Sequence, residues 1–287
     1  MLLAAMLAQA TFSSRTVVVV VPVSVMDGAG RSITGLSKDQ FRLYDEGRAQ
    51  SIATFAHGET AVTVGLVIDR SASMRLKLSA VTDALERFAR AARPSDELFL
   101  VAFNDRVSRA AFAAGPFTSD ALELRRAMAP LQALGTTALH DALIDAASHV
   151  RQGTAGQKAL VVISDGRDNA SRQTFDRALA VVQEVGAVVY TIGLSTDPED
   201  RRSQRELRRL SRESGGTAYF VPAVEDVAPV LDRITGDLRD QYLLGFVPDS
   251  SGSSPSRIKV TVDAPGHRKV AIRSRASYLL APETAEQ

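Results

Sequence analysis

The middle of the chain alternates between two patterns of apolar and polar residues. Nearly continuous apolar runs at residues 62–68, 97–103 and 159–163 are typical of strands that are buried on both faces of a sheet. Between the first two runs, residues 75–92 place apolar side chains every three or four positions, which is the period of an amphipathic helix. Strands and helices that alternate at this spacing predict an α/β fold with a doubly wound, mostly parallel sheet.

The same pattern continues toward residue 239. Further helices are predicted at residues 122–131, 139–150, 174–185, 203–213 and 225–239, and further strands at 107–112, 187–192 and 217–221. Gly215 and Gly216 follow one of these helices, where glycine commonly ends a helix because it adopts a left-handed backbone conformation. Sites in sheets of this class form at the carboxyl ends of the strands, so the loops that follow the strands are the candidates for chemistry.

Both flanks of this region are rich in short strands. Strands are predicted at residues 16–25, 41–44 and 50–55 on one side, and at 241–247, 257–262 and 269–273 on the other. Neither flank has enough strands for a stable domain by itself, so we expect the two flanks to pair into a smaller β-sandwich. The predicted organisation is an α/β domain at residues 59–239 inserted into a discontinuous β domain at 11–58 and 240–280, with a tail at 281–287.

Composition narrows the classes of function. The 287 residues include 45% hydrophobic side chains, enough to fill a sizeable core. The formal net charge of +1 gives no electrostatic reason to expect nucleic acid or an anionic membrane as a partner. The chain contains no cysteine, which excludes thiol catalysis, disulfides and thiolate metal sites. No apolar stretch of the sequence is long enough to span a bilayer.

The N-terminus carries a short apolar segment. Leu2 to Leu7, followed by Ala8-Gln9-Ala10, resembles the end of a secretory signal with a small-x-small cleavage site, although it lacks a basic leader. We interpret residues 1–10 as a truncated signal segment, with a frayed tail as the alternative. An export signal predicts that the mature chain begins near Thr11 and works outside the cytoplasm, in the periplasm or as a secreted protein.

Carboxylate and hydroxyl side chains follow two of the predicted buried strands. Asp69, Ser71 and Ser73 occupy alternate positions after the strand at 62–68, Asp165 follows the strand at 159–163, and Thr137 lies in a third loop. Two carboxylates balance the charge of one divalent cation, while neutral hydroxyl oxygens leave it electrophilic with an open or water-filled position. These five residues predict a magnesium site, with manganese or calcium as alternatives. Capping of the next helix by Asp and Ser is the structural alternative for each residue taken singly.

With these residues assigned, the sequence resembles a von Willebrand factor A domain over roughly residues 60–235. Asp69, Ser71 and Ser73 match the family's DxSxS motif, Thr137 its separate threonine and Asp165 its second aspartate. Thr136 stands where relatives usually carry a second glycine, and we assign Thr137 as the ligand. The resemblance implies a metal-ion-dependent adhesion site, at which an acidic side chain of a partner protein completes the shell of the cation.

The flanks add a second resemblance. The segments DQFRLYDEG and QSI near the start and YLLGF near the end are similar to those of a bacterial group of secreted von Willebrand factor A-related proteins. Members of that group also open with a strand-rich segment and close with such a strand. The resemblance implies a secreted protein that carries a von Willebrand factor A domain within β-rich flanks.

Three functions are compatible with this site. The favoured one is a non-enzymatic, metal-dependent binding module whose contact surface is formed by residues 71–75, 135–140 and 166–171. A magnesium-dependent hydrolase, for example of phosphoesters, is the alternative, but position 71 is Ser where a dehalogenase-like phosphatase needs a second Asp. The sequence also lacks a GxSxG elbow and a GK[ST] phosphate loop. A structural or assembly subunit with an unused site is the third.

Other polar residues are given structural roles. We expect His140 to be a partly exposed polar residue at a helix start, although it lies three positions after Thr137. Asp141 and Asp145 share a helix face and are interpreted as solvated or capping groups, with a position around the metal ligands as the alternative. Tyr242 and Phe246 are expected in the core of the β-sandwich. Six arginines are expected on the solvated face of one helix: residues 201, 202, 205, 208, 209 and 212.

Overall fold

The computed structural model describes residues 17–58, 60–165, 167–195, 200–248 and 255–280, and its elements agree closely with the hydrophobic pattern. The strands are β1 (Val19–Asp27), β2 (Phe41–Asp45), β3 (Arg48–Gln50), β4 (Thr54–His57), β5 (Val62–Asp69), β6 (Glu97–Phe103), β7 (Val107–Arg109), β8 (Gln157–Ser164), β9 (Val188–Gly193), β10 (Ala218–Phe220), β11 (Tyr242–Phe246), β12 (Ser256–Val262), β13 (Val270–Ser274) and β14 (Ser277–Tyr278). The helices are α1 (Leu78–Arg90), α2 (Ala121–Met128), α3 (Leu139–Val150), α4 (Phe175–Val185), α5 (Arg201–Ser214) and α6 (Val227–Asp240).

A six-stranded sheet in the order β10-β9-β8-β5-β6-β7 forms the centre of the molecule. Its strands are parallel except for β7, which pairs antiparallel with β6 at the edge. Every residue of β5 is buried, as expected for a strand covered on both faces. Helices α1, α2 and α6 pack together in one group and α3, α4 and α5 in another. The fold is therefore the predicted doubly wound α/β, Rossmann-like architecture.

The flanks build two four-stranded antiparallel sheets, in the orders β13-β1-β11-β4 and β14-β12-β2-β3. Apolar side chains from both sheets form one shared core that includes Val21, Phe41, Tyr242 and Phe246. The rings of Phe41 and Tyr242 lie 4.9 Å apart at an angle of 52°, a geometry that aromatic pairs prefer. Both flanks contribute strands to both sheets, and Tyr242 and Phe246 lie in the core, as expected.

One strand prediction in the N-terminal flank was wrong. Residues 50–55 were expected to form a single strand, but the chain leaves β3 at Gln50 and re-enters a strand only at Thr54. β3 pairs with β2 as the hairpin partner, whereas β4 pairs with β11 in the other sheet. The chain therefore passes from one sheet to the other at Ser51 to Ala53, which lie between the two strands.

Other boundaries also differ from the sequence pattern, and two of them lie close to the candidate loops or the sheet edge. The apolar stripe at residues 75–92 predicted a helix from Arg75, but α1 begins at Leu78 after a short 3₁₀ helix at Ala72–Met74. The edge strand expected at 107–112 ends at Arg109, and Phe112 forms only an isolated bridge with Gly115. Apolar periodicity does not fix the exact end of an element, because helix and strand ends vary by a few residues.

The predicted signal segment at residues 1–10 and the tail at 281–287 lie outside the described residues. Within the described ranges, no helix has the length and apolar character needed to cross a bilayer.

A buried polar network joins α6 to the flanking sheets. Asp237 accepts hydrogen bonds from the Ser24 hydroxyl at 2.8 Å and from the Tyr190 hydroxyl, and it pairs with the Arg273 guanidinium. Gln241 donates to Ser24 at 3.1 Å and to Tyr190 at 3.0 Å. Burial beside the Asp237 carboxylate raises the pKa of Tyr190 well above its ordinary value. The α/β region and the flanking sheets are thus connected by buried hydrogen bonds.

Candidate functional site

The site begins where the central strand β5 ends. Asp69 is the last residue of β5 and is completely buried. Its Oδ1 accepts from the Ser71 backbone N–H at 2.8 Å, and its Oδ2 accepts from the Ser164 hydroxyl at 2.6 Å. Ser164 is the last residue of the neighbouring strand β8. The parallel sheet therefore fixes the Asp69 carboxylate from two adjacent strand ends.

Three of the predicted ligands are connected by hydrogen bonds. The hydroxyls of Ser71 and Ser73 lie 3.0 Å apart, and the Ser73 hydroxyl donates to Asp165 Oδ1 at 2.7 Å. Ser71 and Asp165 are buried, whereas Ser73 is exposed. The carboxyl ends of β5 and β8 thus bring oxygen atoms that are 92 positions apart in sequence into direct contact.

The loop that carries Thr137 is held against both of the other loops. The Ala72 N–H donates to the Gly135 carbonyl at 3.0 Å, and the Thr137 N–H donates to Asn169 Oδ1 at 2.9 Å. The Asn169 N–H donates back to the Thr137 carbonyl at 3.0 Å. Thr137 is 4% exposed, while Thr136 is exposed, so Thr137 is the threonine that faces the interior. The structure therefore brings the three predicted loops together.

The buried carboxylates repel one another. Burial raises the pKa of Asp69 above its ordinary value, and the negative charge of Asp165 raises it further, against the lowering effect of the hydrogen bonds from Ser164 and Ser71. A cation close to both carboxylates favours their ionised forms. The electrostatics of this cluster therefore suit a positively charged ligand.

Lys77 supplies a positive charge in this structure. Its ammonium group donates to Asp165 Oδ2 at 2.6 Å, with the Lys77 side chain 32% exposed and the Asp165 side chain 3% exposed. Lys77 was not among the residues predicted from sequence. Lys77 directly precedes the first residue of α1 and lies shortly after Ser73 in the sequence. This position next to the motif is the signal that could have identified it.

The prediction for His140 was wrong. It is 8% exposed, with Nε2 lying 3.2 Å from Glu206 Oε2 and Nδ1 lying 3.3 Å from the Gln173 carbonyl oxygen. The His140 N–H also donates to Asp168 Oδ2 at 3.0 Å. His140 is buried because the loop after β8 and helix α5 close over the start of α3. It is a structural link between three segments and not an exposed residue.

Asp141 and Asp145 are half-buried, and each binds another segment instead of being a solvated or capping group as expected. Asp141 accepts from the backbone N–H groups of Arg172 and Gln173, both at 3.0 Å, so it anchors the loop after β8. Asp145 pairs with Arg109 at 3.3 Å. The six arginines of α5 are all exposed. Sequence reasoning did not identify the positioning roles of Ser164 and Asn169, because each depends on a loop from another part of the chain.

Among the described residues, no group of three or more histidine, aspartate and glutamate side chains has the arrangement of a metal site. The five predicted ligands contain only two carboxylates, Asp69 and Asp165, with hydroxyls for the rest. Hydroxyl and carboxylate oxygens are hard donors of the kind that Mg²⁺ prefers. The donor chemistry of the cluster fits such a cation, although its charge is partly balanced by Lys77 in this structure.

The family model of the von Willebrand factor type A domain matches residues 63–233, more than half of the chain. The chain belongs to the von Willebrand factor type A domain family. The matched range begins in β5 and ends within α6, so it contains all three loops of the site. No curated protein matches the chain significantly.

Solved structures of this family share the fold. A von Willebrand factor type A protein from Catenulispora acidiphila is 14% identical with a TM-score of 0.56, covering 95% of this chain and 76% of that one. The domain of the type V pili tip protein Mfa5 from Porphyromonas gingivalis is 14% identical with a TM-score of 0.52, covering 64% of this chain and 96% of that one.

A third similar structure is proximal thread matrix protein 1 from the mussel byssus, solved with a zinc-occupied metal-ion-dependent adhesion site motif. It is 14% identical with a TM-score of 0.55, covering 67% of this chain and 48% of that one. At these identities the similarity concerns the fold of the von Willebrand factor A domain. The ligands of these proteins are theirs and not those of this chain.

Proposed function

We propose that this von Willebrand factor A domain is a non-enzymatic protein-binding module that recognises an acidic side chain of a partner through a divalent cation. The observation that carries the proposal is the contact of the Ser71, Ser73 and Asp165 oxygens beside the buried Asp69 carboxylate. The family match supports it, because the three loops that meet here carry the motif residues of the adhesion site.

In this proposal Asp69, Ser71, Ser73, Thr137 and Asp165 hold the cation, which is Mg²⁺ or, alternatively, Mn²⁺ or Ca²⁺. A bound cation supplies an electrophilic coordination position that a carboxylate can fill. The five residues would supply the oxygen ligands, and hydrogen bonds with Ser164 and Asn169 position two of them, Asp69 and Thr137. The open coordination position would then lie at the surface formed by the loops.

Exposed apolar side chains on two of the loops support a protein partner. Leu76, which follows the Ser71–Ser73 motif, is 93% exposed, and Leu134, which precedes Gly135, is 51% exposed. The Leu134 N–H donates to the Arg70 carbonyl at 2.9 Å, so both leucines belong to the same group of loops. Both side chains are available for apolar contact with a protein that docks over these loops.

The hydrolase alternative is weaker because, among the described residues of the cluster, both carboxylates are assigned to the cation and the Lys77 ammonium group is paired with Asp165, which leaves no free general base. His140, the nearest histidine in sequence, is directed toward Glu206 and the Gln173 carbonyl. A general base must reach the proton that it abstracts. An assembly subunit with an unused site is the remaining alternative, and the metal titration below separates it from the proposal.

We also propose that the protein works outside the cytoplasm. The resemblance of residues 1–10 to a signal segment supports this location. A similar structure is the tip protein of a bacterial pilus, which is consistent with an extracytoplasmic role for domains of this fold. Detection of the protein in the periplasmic or extracellular fraction, and its absence from the cytoplasmic fraction, tests the location.

Calorimetric titration of MgCl₂ and MnCl₂ into the full chain tests the function, with and without a short peptide containing one aspartate. We expect saturable metal binding that the peptide tightens, and loss of both effects in Asp165→Ala. Asp83→Ala is the matched control, because Asp83 is an exposed residue of α1. Absence of metal binding in the wild-type chain, checked by a second binding signal, contradicts the proposal and leaves the assembly role.

A further inference from the structure

Lys77 and the proposed metal share one carboxylate. Lys77 Nζ lies 2.6 Å from Asp165 Oδ2, while the Ser73 hydroxyl lies 2.7 Å from Oδ1. Both oxygens of Asp165 are therefore bound by groups of the same short segment, residues 73–77. A cation that coordinates Asp165 therefore enters beside two groups that already donate to this carboxylate, and one of them, Lys77, is positively charged.

The position of Lys77 is unfavourable for α1 itself. Lys77 directly precedes the first residue of this helix, and its side chain makes no capping hydrogen bond. A positive charge at a helix N-terminus opposes the helix dipole. The contact with Asp165, whose side chain is 3% exposed, compensates for this unfavourable interaction. Helix formation therefore gives no reason for a lysine at this position, whereas the site does.

The charges determine the direction of the effect. Asp69 and Asp165 together carry two negative charges, which balance a divalent cation without assistance. With the ammonium of Lys77 beside Asp165, the same two carboxylates already have one positive charge close by. Like charges that share a partly buried site repel each other, so Lys77 opposes the entry of a second cation.

We propose that Lys77 is a tethered counter-cation that competes with the divalent metal for Asp165 and thereby sets the metal affinity of the site. In the metal-free protein the ammonium group neutralises Asp165. When metal binds, the Lys77 side chain turns toward solvent, which its 32% exposure makes accessible. This inference rests on the proposed function, since it concerns regulation of the same metal site.

Titration of MgCl₂ and MnCl₂ into Lys77→Met, Lys77→Gln and Lys77→Arg tests the competition. We expect both neutral variants to bind metal roughly tenfold more tightly than the wild type or better, because a nearby positive charge is removed. Lys77→Arg keeps the charge and should stay close to the wild type. Lys259→Met, at an exposed position of β12, is the control for loss of a lysine elsewhere.

Thermal unfolding gives a second readout with opposite signs. In EDTA the neutral variants should melt at a lower temperature than the wild type, because Asp165 keeps the Ser73 hydroxyl but loses its charged partner. In a fixed concentration of MgCl₂ they should gain more stabilisation than the wild type, because ligand stabilisation rises with affinity. If Lys77 has only a structural role, its replacement lowers the melting temperature in EDTA but does not increase the stabilisation that MgCl₂ gives.

The outcomes separate this inference from the function on which it rests. Metal binding by the wild type with unchanged or weaker binding by both neutral variants overturns the competition and leaves the proposed function intact. Absence of metal binding in the wild type and in all Lys77 variants overturns both. Metal binding by the wild type, with tighter binding in the two neutral variants and unchanged binding in Lys77→Arg, supports both the competition and the proposed function.

Discussion

At the scale of single residues, the site depends on side chains that do not bind the metal in the proposed assignment. The Ser164 hydroxyl donates to Asp69 Oδ2, and the Asn169 side chain accepts from the Thr137 N–H. The Lys77 ammonium group donates to Asp165. Asp69 is completely buried, so its carboxylate depends on such donors for the hydrogen bonds that water cannot supply. These positioning residues are the sensitive points of the cluster.

Replacement of Ser164 by alanine removes a hydrogen bond to a buried carboxylate. We expect a loss of about 1–3 kcal/mol in the free energy of unfolding, together with weaker magnesium binding, both measured by urea unfolding with and without MgCl₂. Ser148→Ala is the matched control, because its hydroxyl donates only to the Ile144 carbonyl of its own helix at 2.8 Å. Equal losses in the two variants would contradict the role of Ser164.

Gly135 combines two constraints in the second loop of the site. Its φ of +79° is a left-handed conformation, and a Cβ at this position would lie 2.5 Å from Asp105 Oδ1. Gly135→Ala should therefore be destabilised by more than the roughly 1 kcal/mol of the backbone conformation alone and should weaken metal binding. Gly30→Ala provides the comparison, since Gly30 has a φ of +77° with nothing within 4 Å of its added Cβ. Similar losses of unfolding free energy in the two variants would contradict a contact at Asp105.

At the scale of elements, two of the charged contacts made by α6 differ in character. Asp237 lies in the buried network with Ser24, Tyr190 and Arg273, where the Asp237 and Arg273 side chains are 11% and 21% exposed. Asp232 on the same helix pairs with Arg87 at 2.5 Å, but the two side chains are 52% and 65% exposed. Buried and exposed charge pairs on one helix allow their contributions to be compared directly.

Removal of the buried charge should destabilise the protein far more than removal of the exposed one. We expect Asp237→Asn to lower the free energy of unfolding by about 3 kcal/mol, because Arg273 and Tyr190 lose their shared partner in a buried setting. Asp232→Asn should change it by less than about 1 kcal/mol, because solvent screens exposed pairs. Guanidinium unfolding of both variants measures the difference, and equal effects would show that the network is not anchoring α6.

At the scale of the whole molecule, a buried ion pair near the end of α6 joins this helix to the loop that precedes β6. Arg239 pairs with Asp96, whose side chain is 1% exposed. Burial opposes ionisation of Asp96, but the hydrogen bonds from Arg239 and from the Arg93 and Val62 backbone outweigh it and hold the pKa of Asp96 below its ordinary value. The ionised form of Asp96 is therefore the one that the folded protein stabilises.

This lowered pKa predicts a dependence of stability on acid. The pKa of Asp96 is about 4 in the unfolded chain and lower in the folded protein. The ionised carboxylate therefore makes its full contribution to the free energy of unfolding above that pH, and this contribution is lost as the pH falls through the folded pKa. Asp96→Asn should be less stable than the wild type at pH 7, and the difference should shrink below about pH 4. Urea unfolding between pH 7 and pH 3 measures it, and a constant difference would contradict the assignment.

The domain organisation remains a prediction, with an α/β domain at residues 59–239 and a β domain at 11–58 and 240–280. We propose that the two unfold together, because the Asp237 and Gln241 networks bury polar groups between them. Differential scanning calorimetry should then show one transition with equal calorimetric and van't Hoff enthalpies. Two separated transitions would show that the regions are thermodynamically independent.

The sequence by itself determined the doubly wound sheet, the pairing of the flanks and the meeting of the two loops that follow β5 and β8. Those features follow from the period of the apolar positions and from the rule that parallel strand ends meet at one edge. β6 at Glu97–Phe103 and α3 at Leu139–Val150 have the bounds that the pattern predicts. The motif residues also follow from local spacing, since Asp69, Ser71 and Ser73 lie on one short segment.

Only the tertiary structure decided which side chains surround that motif. Lys77 meets Asp165 across 88 positions, His140 meets Glu206 across 66, and Ser24 meets Asp237 across 213. The division of residues 50–55 between two sheets likewise depends on where β11 lies. No local pattern encodes these contacts, because they depend on how loops and helices from distant parts of the chain pack over one another.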